Sequence, residues 1–222
     1  NTKALYLNMI ILVRRHNEEE TDKLIKFRNS LRDEIIQSRK KNLDDLDDTL
    51  PKVDYIMEQL ENLSGIRFIL NYLMINHALR NKDINLKFVK ALPENKSENY
   101  LMLKGKNVIL DINDYKTDDK YGTKEIKISN EKFVNEIKKM KLNDGDYLLS
   151  MKNGDKIKNT STFNDKILNL TIDKLGQNKL VKIMIKDLLN NKSFDKLEQM
   201  SKDRGTSLDI LLKSYNLHNG EK

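Results

Sequence analysis

The sequence predicts an α+β protein that is mostly helical and carries a small three-stranded antiparallel sheet. Apolar residues recur at helical spacing before Asp83, change to short alternating runs after it, and return to helical spacing after Ser129. Of the 222 residues, 38% are hydrophobic, 34% are charged and only two are proline. This composition is typical of a folded, helix-rich chain rather than a disordered one.

The first part of the chain predicts two helices and a domain boundary. Asn1 and Thr2 are capping residue types, and the apolar residues that follow indicate a helix to about Arg15. A second helix is predicted over residues 21–40, and the acidic run at 44–48 is interpreted as a solvated connection. We therefore expect a helical N-terminal portion at 1–48 and an α+β portion at 49–222.

Two further helices precede the sheet. Pro51 is expected in the first turn of the third helix, where its missing amide hydrogen costs nothing. The next segment, 64–79, is apolar on most sides and predicts a buried helix.

Short strands are predicted from 86 onward. Residues 86–89 have strand-like spacing, and segments 100–103, 108–112 and 125–128 form the expected antiparallel meander, with turns at 104–107 and 117–122. Five helical segments are then predicted, at 131–140, 160–175, 179–189, 194–200 and 208–215, the first capped by Ser129 or Asn130.

Composition excludes several classes of site. The chain has no cysteine, and its three histidines do not have the spacing of a metal site, so neither a metal nor another cofactor is expected.

No apolar run approaches the roughly 18 residues that a membrane span needs, and no signal segment opens the chain. We expect an intracellular protein, neither secreted nor membrane-bound. The formal charge of +7 favours a polyanionic partner such as nucleic acid, although dispersed lysines are also typical of a solvated surface.

Four segments carry the more specific signals. Asn1 to Tyr6 places a threonine before an aromatic residue, and Arg80 follows an apolar helix three residues before Asp83. Lys116 lies in the connection between the second and third strands of the expected meander. Near the end, Gly205-Thr206-Ser207 precedes Tyr215, which lies nine positions after Thr206.

In this order, these segments resemble the tyrosine recombinase (integrase) family, of the large DNA virus or mobile-element type. The resemblance implies an enzyme that breaks and rejoins duplex DNA through a 3′-phosphotyrosyl intermediate, acting as a tetramer on DNA. It assigns Tyr215 as the nucleophile, Arg80 as a phosphate clamp and Lys116 as the general acid. It implies action in a nucleus, viral factory or virion.

The chain departs from the family's pattern at three positions. Thr206 stands where the family has histidine. Twenty residues earlier, Lys186 stands in place of the second arginine, and Ile183 stands where that box begins with histidine. Lysine supplies a point charge rather than a bidentate fork, and isoleucine supplies no donor. Two readings therefore remain open: an active recombinase, or a recombinase-derived DNA-binding or virion structural protein with a decayed site.

Each residue also has a simpler explanation. Arg80 could be a surface arginine paired with Asp83, Lys116 one of many turn lysines, and Tyr215 an aromatic at the edge of the core. His77, three residues before Arg80, is either a further phosphate contact or an ordinary capping histidine.

Overall fold

A computed structural model describes the backbone of residues 2–47, 50–94 and 96–214. The chain forms two compact units, Asn1–Leu50 and Pro51–Lys222. The division falls two residues after the expected boundary at 48.

The first unit contains two helices, α1 (Thr2–His16) and α2 (Asp22–Asp47). Ile11 is buried between them, and Nη1 of Arg28 donates a hydrogen bond to Oδ1 of Asn8 at 3.4 Å. The prediction that 44–48 is a connection is wrong for 44–47, since α2 continues to Asp47. The 44–48 run contains neither glycine nor proline, the residue types that most disfavour a helix interior.

The second unit begins with α3 (Val53–Asn62) and the buried helix α4 (Gly65–His77). Lys52 is the N-cap of α3, so Pro51 precedes the helix instead of occupying its first turn. Ala78 caps the C-terminal end of α4 and adopts the left-handed conformation with φ of 50°. The apolar side chains of α4 form much of the core of this unit, among them Phe68, Ile69, Leu70, Leu73, Met74 and Ile75.

The sheet has four strands in the order β1 (Leu86–Phe88), β2 (Asn99–Lys104), β3 (Asn107–Ile112) and β4 (Lys124–Ile128). Strands β2, β3 and β4 form the predicted antiparallel meander. The prediction of a three-stranded, purely antiparallel sheet is wrong in one respect, because β1 adds to β2 in parallel. The chain begins β2 at the same end of the sheet as β1, which makes their pairing parallel.

Helices complete the unit. The β3–β4 connection contains the short helix α5 (Asp118–Tyr121), and α6 (Glu131–Lys139) follows β4. The predicted Asn130 cap is confirmed, since its side chain accepts a hydrogen bond from the backbone N–H of Phe133 at 2.9 Å.

The predicted helix at 160–175 is interrupted. Helix α7 ends at Leu170 (Thr160–Leu170), and a separate 3-10 turn spans Ile172–Lys174. Asn71 of α4 stabilises the break, because its Oδ1 accepts from the backbone N–H of Ile172 while its Nδ2 donates to the Leu170 carbonyl. The remaining helices are α8 (Gln177–Asn190), α9 (Phe194–Arg204) and α10 (Leu208–Ser214). No helix in the described part of the chain is long and apolar enough to cross a membrane.

Candidate functional site

The site is built around the C-terminal end of α9. Leu197, Met200, Ser201 and Arg204 lie at successive positions of one helical stripe, and all four are buried. The last position of this inward face is therefore an arginine, which places a guanidinium group inside the protein.

The chain leaves α9 through a left-handed glycine. Gly205 has φ of +64°, its N–H donates to the Lys202 carbonyl, and the N–H of Thr206 donates to the Ser201 carbonyl. These two bonds form a Schellman-type cap. The Gly-Thr pair singled out in the sequence is thus the helix terminus itself.

The next three carbonyls, the last two of α9 and that of its capping glycine, accept hydrogen bonds from side chains of three other segments. Lys124 of β4 donates to the Asp203 carbonyl at 2.8 Å, and Thr117 of the β3–β4 connection donates to the Gly205 carbonyl at 2.6 Å. Between them, Nη1 of Arg80 donates to the Arg204 carbonyl. Because the last carbonyls of a helix have no partner within it, these bonds satisfy acceptors that would otherwise be orphaned.

Arg204 makes the complementary contact with α4. Its Nη1 donates to the Ala78 carbonyl at 2.6 Å, and its Nη2 lies 3.5 Å from Oδ1 of Asn178 at the start of α8. The side chain is only 7% exposed. Arg204 therefore joins the end of α4 to the beginning of α8.

A buried ion pair supports the Arg80 segment from the other side. Asp83 is fully buried, and its Oδ2 lies 3.5 Å from Nζ of Lys124, whose ammonium also lies 3.9 Å from the centre of the Tyr115 ring. Burial raises the pKa of Asp83, against the opposing effect of Lys124, Arg80 and Arg204. Burial lowers the pKa of Lys124, partly offset by Asp83.

His77 belongs to the same junction of α4 and α9. Its Nδ1 lies 2.6 Å from Oδ2 of Asp203, and Nε2 of Gln199 donates to the other carboxylate oxygen at 2.7 Å. The Nε2 atom of His77 is buried without a hydrogen-bond partner among the described residues. His77 thus contacts a carboxylate at the helix junction.

The structure brings together three of the segments that the sequence singled out. The backbone N–H of Arg80 donates to Oδ2 of Asp83, but the guanidinium points to the α9 terminus instead of forming the surface pair with Asp83. Lys116 is exposed and precedes Thr117, which is bonded to Gly205, and Thr206 is half-buried next to that glycine. Tyr215 lies outside the described residues, directly after α10.

Lys186 is not at this end of α8. Residues 177 and 178 contact the site: Oε1 of Gln177 accepts from the N–H of Asn81 at 2.9 Å, and Asn178 adjoins Arg204. Lys186 is exposed and lies eight residues further along, about 12 Å along the helix axis. Ile183 is buried in the core.

Sequence reasoning missed Lys124 and Arg204, yet each had a signal. Lys124 shares the strand phase of Ile126 and Ile128, the buried face of β4. Arg204 lies seven residues after Leu197, on the apolar stripe of α9. A charged residue in phase with a buried face indicates a buried charge, which requires a partner.

Nothing in the described residues suggests a metal centre, since no group of three or more histidine, aspartate or glutamate side chains is suitably clustered there. No protein-family model, no curated protein and no solved structure matches this chain.

Proposed function

We propose that the Arg80 site binds a phosphodiester of duplex DNA, as the resemblance to tyrosine recombinases implies. The observation that supports this proposal is the convergence of Arg80, the Lys116–Thr117 segment and Gly205-Thr206 on one helix terminus. These segments are far apart in sequence, and each is one that the resemblance assigns to phosphate chemistry.

The chemistry of Arg80 suits a phosphate. Its Nη1 is engaged by the Arg204 carbonyl, while Nε and Nη2 have no hydrogen-bond partner in the described part of the chain. The side chain is half-buried, so a bond to an anionic oxygen there is less screened than at the open surface. Lys116 is exposed and directly precedes Thr117, which bonds the Gly205 carbonyl, and in this proposal it adds a charge for the DNA backbone.

A salt-dependent binding measurement tests the proposal. We expect Arg80→Gln and Lys116→Glu each to weaken binding to a duplex oligonucleotide at low salt by about tenfold, and to reduce the slope of affinity against salt, because phosphate contacts release counterions. Lys106→Glu is the matched control, since Lys106 is an exposed lysine in the β2–β3 turn. Equal affinities for all three variants and wild type would contradict the proposal. Lys116 would then be only one of the dispersed, solvated surface lysines.

DNA strand transfer is the second candidate function. Helix α10 begins two residues after Thr206 and ends immediately before Tyr215, so the nucleophile of the resemblance would follow a helix that packs through Leu211. In that reaction the Tyr215 oxygen bonds to phosphorus and loses its proton to solvent, and the departing 5′ oxygen takes a proton from Lys116. The burial of Ile183 and the distance of Lys186 favour slow turnover, since α8 supplies neither a second arginine nor a histidine at those positions.

A nicked suicide duplex distinguishes the two readings. An active protein gives a covalent adduct on a denaturing gel, and Tyr215→Phe abolishes it while DNA affinity stays within about twofold, because only the hydroxyl is removed. If wild type binds DNA without forming the adduct, the protein is a recombinase-derived binding or structural protein.

We further propose intracellular action and, for the active form, assembly as a tetramer on DNA, to be measured by sedimentation of the complex.

A further inference from the structure

Arg80 and Arg204 are arranged reciprocally. Arg80 lies just after α4 and donates to the last residue of α9, whereas Arg204 is that last residue and donates to Ala78 at the end of α4. Arg80, which follows α4, therefore satisfies a carbonyl at the end of α9, and Arg204, which ends α9, satisfies a carbonyl at the end of α4.

Electrostatics explains why two arginines occur at this point. The C-terminal ends of α4 and α9 meet here, and each end presents unpaired carbonyls and the negative pole of a helix dipole. Guanidinium groups neutralise both poles, and their planar forks hold a fixed direction that a lysine ammonium does not.

We infer that Arg204 is a positioning residue of the Arg80 phosphate site. Its bond to the Ala78 carbonyl fixes the backbone two residues before Arg80, and its own carbonyl holds Nη1 of Arg80, so that Nε and Nη2 remain for the oxygens of a phosphodiester. This inference rests on the proposed function, and it gives the site a second arginine on α9, as a positioning residue, where the resemblance assigns position 186 of α8.

Burial supports this assignment over Lys186. Arg204 is enclosed where α4, α8 and α9 meet, and Asn178 lies against its Nη2. Lys186 is exposed about 12 Å along α8 from Asn178. An enclosed arginine loses little freedom when a neighbouring group binds its ligand, and it keeps the site preorganised.

A double-mutant cycle on the full chain tests the inference through affinity for a duplex oligonucleotide. We expect Arg204→Lys to weaken binding about tenfold, because lysine cannot bond Ala78 in the same fixed geometry. Arg80→Met should weaken it at least as much, and the double variant should be within about twofold of Arg80→Met alone. If Arg204 had a merely structural role, Arg204→Lys would change the free energy of unfolding without this coupling in DNA affinity. The inference would therefore be overturned if the losses of affinity in the two single variants multiply in the double variant, or if Arg204→Lys leaves the affinity unchanged.

Arg67→Lys is the matched control. The Nε of Arg67 also lies near a helix-end carbonyl, that of Leu170 at 3.4 Å, but at the start of α4 instead of its end. Its affinity for the duplex should remain within about twofold of wild type.

A measurement on wild type covers the case in which Arg204→Lys does not fold. In a titration with the same duplex followed by amide NMR, the N–H signals of Arg80 and Gly205 should shift with a single dissociation constant, because the Gly205 amide shares a peptide group with the Arg204 carbonyl. A response at Arg80 alone overturns the inference and leaves the proposed function standing. Wild-type protein that binds no duplex removes both.

Discussion

Gly205 lies directly against the ring of Tyr115. A Cβ atom placed on Gly205 would be 2.5 Å from Cε2 of that ring, and Tyr115 is itself buried and bonded through its hydroxyl to the Gly122 carbonyl. The ring therefore has little room to move. Glycine is required here both for its left-handed backbone and for the close approach of the β3–β4 connection.

Gly205→Ala should therefore lower the free energy of unfolding by about 2–4 kcal/mol, from left-handed strain plus overpacking against the ring. Gly105→Ala is the control, because Gly105 has a similar φ of +63° but nothing within 4 Å of the added atom. It should cost only about 1 kcal/mol. Urea denaturation of both variants measures the difference, and equal losses would show that the Tyr115 contact is not restrictive.

Lys124→Met should lower the free energy of unfolding by about 3 kcal/mol at neutral pH, because it leaves the carboxylate of Asp83 buried without its ion-pair partner. Loss of the ammonium raises the already elevated pKa of Asp83 further. A raised folded-state pKa gives stability that is present at acid pH and lost as the pH rises through that pKa, so the deficit should shrink on acidification. Adding Asp83→Asn should recover most of the loss; a double variant as unstable as Lys124→Met would contradict this account.

Glu98 gives the opposite pH dependence. Burial acts to raise its pKa, but hydrogen bonds from Lys156, Tyr147 and Lys87 prevail and lower it to about 2. A depressed folded-state pKa gives stability that is present above the ordinary value of 4.5 and lost as the pH falls toward 2. Thermal unfolding between these pH values should show this loss in wild type.

Glu98→Gln isolates the effect of the carboxylate. It should cost about 1–2 kcal/mol at neutral pH and flatten the acid limb of the stability curve. Tyr147→Phe, which removes only one of the hydrogen bonds, should cost about 1 kcal/mol and keep most of that limb. An unchanged acid limb in Glu98→Gln would assign the loss to other carboxylates.

Asn71→Leu should destabilise the second unit by about 2–4 kcal/mol. The buried amide bonds the Leu170 carbonyl and the Ile172 N–H on either side of the break after α7, and leucine satisfies neither. Asn71→Asp keeps the oxygen that accepts from the Ile172 N–H. The Ile172 amide should therefore be better protected against hydrogen exchange in Asn71→Asp than in Asn71→Leu. Equal exchange of the Ile172 amide in the two variants would argue against this role.

The grouping at the end of α9 could be predicted only in part. The sequence singles out Arg80, Lys116 and Thr206 because each lies in a segment with a recognisable pattern, and the structure brings those segments to the end of α9. Lys186 was selected by spacing alone, and spacing along a helix does not say which turn meets a neighbouring element. Lys124 and Arg204 required the further step of treating a charge on an apolar face as a buried group.

The sequence by itself determined most of the helices, apart from α5 and the last turns of α2, together with the three antiparallel strands and the Asn130 cap, because periodicity and capping are local properties of the chain. Only the tertiary structure decided the parallel addition of β1, the break after α7 and the hydrogen bond from Arg80 to the Arg204 carbonyl. Each of these depends on partners distant in sequence: a neighbouring strand, the Asn71 side chain and a helix terminus with unsatisfied carbonyls. Tertiary packing decides which unsatisfied backbone groups and side chains come within hydrogen-bonding distance. Local spacing along the sequence does not carry that information.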